Sequence, residues 1–134
     1  MDILLDTHIL LWSINDDPRL TEKAKNLIFS KDNTLYYSII SMWEVAIKHM
    51  KNSNKMSTSG REFMHYCEEA GFRKLPIDDR HIIELETLRR LEDAPYHNDP
   101  FDRLLLAQAK SDCMLFITHD KMFLGYDEPY LTLV

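Results

Sequence analysis

The sequence predicts an α/β domain with a mostly parallel sheet, and three observations lead there. Short apolar runs alternate with stretches of helical periodicity along the chain, the pattern of repeated βα units whose sheet is covered on both faces. Four segments each end at, or lead into, a carboxylate: Ile3–Leu5 meets Asp6, Leu35–Ile40 runs toward Glu44, Asp99-Pro100-Phe101-Asp102 opens an apolar helix, and Met114–Ile117 leads to Asp120. The only glycines are Gly60, Gly71 and Gly125, so neither a P-loop nor a dinucleotide Gly-x-Gly fingerprint can be written.

Taken in order, Ile3–Leu5 is too short for a helix and reads as a buried strand that turns at Asp6-Thr7 into a helix over Ile9–Ser13. Leu20, Ala24, Leu27 and Ile28 recur at helical spacing and predict a helix from Leu20 to Ser30. Leu35–Ile39 is aromatic and branched, a second strand. Trp43, Ala46, Ile47 and Met50 mark the apolar face expected of the following helix. Asn52–Gly60, with two Asn, four Ser or Thr and a Gly, is the clearest loop.

Phe63, Tyr66, Cys67 and Ala70 define the next helix face, which Gly71 closes as a C′ residue. A short strand at Phe72–Leu75 precedes Pro76, and Asp78 or Asp79 caps a helix carrying Ile82, Leu85, Leu88 and Leu91. Ala94–Asn98 is a loop, Asp102–Asp112 a helix with Leu105, Leu106 and Ala109 inward, and Met114–Ile117 a strand. Leu131–Val134 completes the set as an edge strand.

A chain of 134 residues suits one domain, residues 1–134, with a single-domain core that needs no disulfide framework. Its 45% hydrophobic and 28% charged content is that of a folded, water-exposed protein. No apolar stretch approaches the roughly 18 residues needed to span a bilayer, and Asp2 and Asp6 interrupt the first apolar run, which argues against a signal peptide. A cytoplasmic location without membrane attachment is the expectation. Cys67 and Cys113 have no C-x-x-C setting and read as buried thiols. The net charge of −6 disfavours nonspecific attachment to nucleic acid. Locally the sign reverses: Lys48, Lys51, Lys55 and Arg61 lie in a stretch from Val45 to Arg61 that contains no acid, a solvated face or a phosphate-contacting surface.

The acids themselves point to chemistry. Ligands of open α/β sheets bind beyond the carboxyl ends of the strands, so acids placed after strands converge although distant in sequence. Gathered carboxylates oppose one another's ionisation, and a divalent cation relieves that cost. Oxygen donors without a cysteine cluster suit Mg2+ or Mn2+. Each acid also has a structural alternative. Asp6 could simply bond its own turn. Ser41-Met42-Trp43-Glu44 matches a capping box with Glu44 at N3. Asp99 followed by Pro100 is a good N-cap and N1 pair, with Asp102 in the first turn and Arg103 beside it. Asp120 could cap a short helix around Lys121–Leu124.

Other chemistries fit poorly. The six histidines form no H-E-x-x-H or Cys-His pattern, although His8 and His119 stand next to acids. Ser38, Ser41 and Ser111 lack a G-x-S-x-G setting. An aspartyl-phosphate phosphohydrolase would begin Asp-x-Asp, whereas Thr7-His8 follows Asp6.

Asp6-Thr7-His8 with Leu10-Leu11-Trp12, Ser41-x-x-Glu44, Asp99-Pro100-Phe101-Asp102-Arg103-Leu104-Leu105 with Ala107-Gln108-Ala109, and Thr118-His119-Asp120 together resemble the PIN-domain ribonucleases, above all the VapC-type toxins of type II toxin–antitoxin systems. The resemblance spans nearly the whole chain in the family's order. It implies a three-layer α/β/α domain and an endoribonuclease dependent on Mg2+ or Mn2+, held in check by a cognate antitoxin protein and forming a homodimer. By position it assigns Asp6, Glu44, Asp102 and Asp120 as the catalytic acids. Asp6, Asp102 and Asp120 would serve as metal ligands, with Asp99 as a cap or additional ligand, and Glu44 would orient a water or act as base. Lys48, Lys51 and Arg103 are then candidate RNA contacts. A non-catalytic PIN-like module that binds a protein partner is the alternative from another class.

Overall fold

The computed structural model describes residues 1–134 and places five strands, β1 Asp2–Leu5, β2 Thr34–Ser38, β3 Arg73–Leu75, β4 Leu115–Thr118 and β5 Leu131–Leu133, in one sheet of order β3-β2-β1-β4-β5. Every neighbouring pair is parallel, so the sheet is wholly rather than mostly parallel. Six helices intervene: α1 Thr7–Ile14, α2 Glu22–Ile28, α3 Ile39–Lys51, α4 Gly60–Glu69, α5 Asp79–Leu85 and α6 Pro100–Ser111, with a 3-10 turn at Lys121–Gly125. None is long and apolar enough to cross a membrane.

The period-2 alternation of a strand explains why two cores form. In β1, Ile3 and Leu5 face one apolar cluster while Leu4 faces the other. Leu35, Tyr37 and Ile117 join the first, where α1, α2 and α4 contribute Ile9, Leu10, Ala24, Ile28, Phe63 and Cys67. Phe116 joins the second with Ile40, Leu75, Leu105, Leu106, Ala109 and Phe123. Each fully buried Leu, Ile or Phe contributes about 1.5–3 kcal/mol, and both faces of β1 need a helical cover to gain it. The central strands therefore read as unbroken apolar runs, and the acids are left to the strand ends.

Caps set the helix starts. Thr21 accepts from the Ala24 amide, Ser59 forms a reciprocal capping box with Glu62, and Asp78 caps α5 while His81 Nδ1 accepts from the Asp78 amide. Asp99 caps α6 with Pro100 at its first position, as the sequence predicts. Thr21 also shortens the helix expected over Leu20–Ser30 to Glu22–Ile28.

The start of α3 differs from the expectation in a way that matters. Ser38, the last residue of β2, is itself the N-cap, its Oγ accepting from the Ile40 amide at 2.9 Å. Ile39 and Ile40 read as strand because they are β-branched, yet they form the first helical turn. Ser41 and Glu44 therefore lie inside the helix rather than in a capping box, and Glu44 falls in its second turn. The buried stripe of α3 is Ile40, Ser41, Glu44 and Val45, whereas Trp43 and Met50, expected inward, are 53% and 78% exposed. The polar members of that stripe are tolerated because they meet hydroxyls and a lysine, not hydrocarbon.

Other departures are smaller. The helix α5 ends at Leu85, and Ile82 and Leu91 face outward. Tyr66 and Ala70 are exposed on α4, where Phe63 and Cys67 carry the packing. Cys67 is buried, which pushes its thiol up to about 12, but Cys113 is exposed, with φ of 55° in the turn between α6 and β4.

Gly71 has φ of +86° and no atom within 4 Å of a Cβ built there. Its role is thus purely conformational, ending α4 in the left-handed region. Gly71→Ala is expected to destabilise the protein by about 1 kcal/mol in urea unfolding, and Gly71→Asn by less. An alanine variant as stable as the parent would contradict this.

Candidate active site

The chain runs outward from β1 to β2 and β3, then returns to add β4 and β5 on the other side of β1. The strand order reverses between β1 and β4, and in such sheets a crevice opens there at the carboxyl ends. Asp6 follows β1 at that point, and Asp120 follows β4 two residues beyond Thr118.

Asp6 is buried, with 2% of its surface exposed. Its Oδ1 accepts the Thr7 amide at 2.8 Å and its Oδ2 accepts the Thr118 hydroxyl at 2.6 Å. The same Thr118 oxygen accepts the Asp120 amide at 3.0 Å, so one hydroxyl links the two acidic turns. Burial outweighs these bonds and raises the Asp6 carboxyl to about 6.

Glu44 approaches from α3 and is also buried. Thr7 Oγ1 donates to its Oε1 at 2.8 Å and Lys48 Nζ to its Oε2 at 2.7 Å. Because the Thr7 proton is committed to Glu44, the 2.8 Å contact between Thr7 and Ser41 is a bond that Ser41 donates. Thr7 thus sits between the first two acids, its amide on Asp6 and its hydroxyl on Glu44.

Asp99 spends its Oδ1 on the amides of Phe101 and Asp102, at 2.9 and 3.1 Å. Asp102 has no capping duty. Its Oδ2 lies 3.2 Å from His97 Nε2, and His97 Nδ1 lies 2.7 Å from the Tyr126 hydroxyl. Burial, followed by the charge of Arg90, lowers the His97 pKa. Asp120 accepts the Met122 amide at 2.9 Å as cap of the 3-10 turn.

These five acids share one rim. Thr7 joins Asp6 to Glu44, Thr118 joins Asp6 to Asp120, and the Trp43–Phe101 ring contact at 5.0 Å sets the start of α6, with Asp99 and Asp102, beside α3. Asp102 is raised to about 8, first by burial and then by the charges of Asp6, Asp99, Glu44 and Asp120. The only cation bonded to any of the five is Lys48, on Glu44. Lys48 stays protonated despite burial that opposes it, because Glu44 bonds it and Asp99 and Asp102 add their charge.

No three His, Cys, Asp or Glu side chains stand close enough to form a ready-made metal cluster. Each carboxylate is instead hydrogen-bonded to a protein group. The donor set nonetheless fits a hard divalent cation, being all oxygen, short of positive charge, and buried at Asp6 and Glu44 with Asp99, Asp102 and Asp120 half-buried.

Several groups were not foreseen from sequence. Thr7, Ser41 and Thr118 orient Asp6 and Glu44, while His97 and Tyr126 orient Asp102. The threonines do carry a signal, since Asp6-Thr7 and Thr118-His119-Asp120 each set a hydroxyl beside an acid at a strand end. His97 lies in a loop without periodicity and carries none. His8 and His119 flank Trp12, with ring centroids at 6.0 and 5.4 Å, and bond none of the acids. Of the candidate RNA contacts, Lys48 is engaged by Glu44, Lys51 is exposed, and Arg103 is half-buried near Tyr126.

A wholly parallel α/β domain with an acidic rim at its switch point defines a class, and the comparisons name it. The family model described as the PIN domain matches residues 3–129. This chain belongs to the PIN-domain family. Among solved structures, it is similar to VapBC2 from Rickettsia felis bound to a promoter DNA fragment, with 20% identity, a TM-score of 0.71, and coverage of 100% of this chain and 98% of the other. It is similar also to DNA-bound VapBC from Salmonella typhimurium, at 17% identity and a TM-score of 0.64, covering 100% of this chain and 97% of that one. A third is FitAcB from Neisseria gonorrhoeae, at 20% identity and a TM-score of 0.57, covering 98% and 95%. At such identities the likeness establishes the shared fold. No curated relative matches the chain.

The raised Asp102 carboxyl makes the site pH-dependent. With cations chelated, the folded protein keeps a proton at Asp102 up to about pH 8, whereas the unfolded chain releases it near the ordinary value of about 4. Stability from this group is complete below that value and lost as pH rises toward 8. His97, held low, acts in the opposite direction, so the useful comparison is with Asp102→Asn. That variant should exceed the parent in stability at pH 8 by at least about 1 kcal/mol, the gap shrinking toward pH 5 in urea titrations. A gap independent of pH would contradict the assignment.

Proposed function

We propose that this chain is a divalent-metal-dependent endoribonuclease, the toxin of a type II toxin–antitoxin pair acting in the cytoplasm. The observation that carries the reading is the gathering of Asp6, Glu44, Asp99, Asp102 and Asp120 at the carboxyl end of the sheet, linked through Thr7, Thr118 and the Trp43–Phe101 contact. Membership of the PIN-domain family supports it, as does the fold shared with chains of VapBC complexes.

Asp6, Asp102 and Asp120 would hold Mg2+ or Mn2+, with Asp99 adding the oxygen its cap leaves free. Such an ion supplies Lewis acidity toward the scissile phosphodiester and acidifies a water in its shell. The remaining work falls to the chain. Thr118 and the Thr7 amide fix both oxygens of Asp6, and His97 fixes the rotamer of Asp102. Glu44, gripped by Thr7 and Lys48, would orient the attacking water or take its proton. Lys48 also brings a positive charge to a rim that otherwise repels phosphate, and Lys51 and Arg103 would contact flanking phosphates.

The partner implied is an antitoxin protein that covers the acidic rim, and the toxin itself is proposed to pair as a homodimer. Which RNA is cut depends on contacts to unstacked bases, beyond the rim itself.

The test is cleavage of labelled RNA with Mg2+ or Mn2+ and with EDTA. The parent should cut only with the ion, and Asp6→Asn should lose at least about a hundredfold in rate while keeping the parent's circular dichroism. An Asp6→Asn chain that cuts as fast as the parent would reject the role. A parent that cuts nothing yet binds a protein tightly would favour a non-catalytic interaction module.

A further inference from the structure

Two adjoining hollows lead away from the acidic rim. A groove of about 380 Å³ is lined by Lys48, Lys51, Asn52, Lys55 and Met56. A cleft of about 280 Å³ shares Lys55 and Met56 with it and is walled by His8, Trp12, Asn15, Arg19, Ser57 and Thr58. The groove begins at the site, because Lys48 bonds Glu44. The cleft returns to it, because His8, which lines it, is two residues beyond Asp6 in the first turn of α1.

The wall between them is ordered. His49 Nδ1 bonds the Met56 carbonyl oxygen at 2.8 Å, and the Asn52 side chain accepts the amides of Asn54 and Lys55. These bonds fold the loop back against α3 and present Lys51 and Lys55 on the same side as Lys48. No acid occurs from Lys48 to Arg61, in a chain whose net charge is −6.

The cleft is lined differently. Trp12 is half-buried and packs on the first core, while His8 and His119 lie against it, both exposed. The Arg19 guanidinium stands 5.1 Å over the Trp12 ring and is anchored by Asp17 at 2.7 Å. Flat π-surfaces thus meet the hydrogen-bonding groups of Asn15, Ser57 and Thr58, beside a row of lysines. Planar stacking groups alongside a cationic groove are how proteins hold single-stranded nucleic acid. An apolar peptide would find little here, because Leu11 and Met56 are the only aliphatic side chains in the cleft.

We propose that this cleft is a base-holding subsite for single-stranded RNA, resting on the nuclease reading above. Phosphates follow Lys51 and Lys55, and one unpaired base lies against the His8, Trp12 and Arg19 planes. The subsite fixes which phosphodiester reaches Glu44, at a set distance along the strand from the held base.

The experiment is fluorescence anisotropy of short labelled oligoribonucleotides, with EDTA present so that nothing is cut. Trp12→Leu, which keeps an apolar side chain against the core, should bind at least about fivefold more weakly, and Trp12→Phe should recover most of the loss. The double variant Lys51→Gln, Lys55→Gln should reduce the slope of log affinity against log salt by about 1.4, from two lost phosphate contacts. An abasic residue walked along the oligonucleotide should weaken the parent at one position, and at that position Trp12→Leu should lose nothing further. Unchanged affinity in Trp12→Leu overturns the subsite, as does an abasic walk with no sensitive position on the parent, which applies even if the leucine variant misfolds. A Trp12→Leu chain that binds RNA normally but loses a co-expressed protein partner assigns the cleft to that partner instead. Failure here is distinct from failure of the nuclease reading. A parent that cuts RNA while its binding ignores Trp12 sinks only the subsite, and one that binds through Trp12 but never cuts sinks only the nuclease.

Discussion

Mutual repulsion among five carboxylates at one end of a parallel sheet is the constraint around which this molecule is organised. Left bare, such groups would resist burial together. Here each is tied to a group that the fold supplies: Thr7 and Thr118 donate to Asp6, Thr7 and Lys48 to Glu44, the α6 amides to Asp99 and the 3-10 turn to Asp120, while Asp102 shares a hydrogen bond with His97. Several of these donors are helix N-terminal amides, whose partial positive charge suits an anion. The arrangement holds the acids in place with Lys48 as the one cation bonded among them, and leaves the rim with an electrostatic demand that a divalent cation would meet.

The sheet is what makes the demand possible. Because β1 is buried on both faces, its residues from Ile3 to Leu5 are apolar without interruption, and the first polar residue the chain can place is the one just past the strand. The same logic acts at β4, where Phe116 and Ile117 serve opposite cores before Thr118 ends the strand. Parallel direction then puts both ends on one side. Thr118 is the hinge of this relation, donating to Asp6 and receiving from Asp120, so the ends of two strands share a single hydroxyl. Replacing it would leave a buried carboxylate short of a donor, a loss of about 1–3 kcal/mol in comparable cases.

Much of this was legible in the residues. The strands at Ile3–Leu5 and Met114–Ile117 and the cap at Asp99-Pro100 were found within a residue or two, because continuous apolar runs and cap chemistry are local signals. Asp6, Glu44 and Asp120 are joined through Thr7 and Thr118, and Asp102 stands in the first turn of α6 beside them. What escaped was the register of α3. Ile39 and Ile40 have strand propensity, but the packing of Ile40 on the second core and the Ser38 cap override it, so the helix starts earlier and turns Glu44 inward in its second turn. Trp43 and Met50 misled for the same reason: helical spacing identifies a stripe, not which stripe meets the core. His97 was invisible because its role depends on Tyr126 and Asp102 arriving from either side, a tertiary fact with no spacing in the chain. The sequence offers Lys48 as a contact for phosphate, and the fold adds a bond to Glu44 that spacing alone does not reveal.

The central claim is that these acids form one cation-binding centre, and Mn2+ located by its anomalous scattering in crystals of the protein tests it most directly. The account predicts an anomalous peak bounded by Asp6, Asp102 and Asp120, with Asp102 turned from its present partner toward the ion. A peak elsewhere on the surface, or none at this rim under saturating Mn2+, would contradict it.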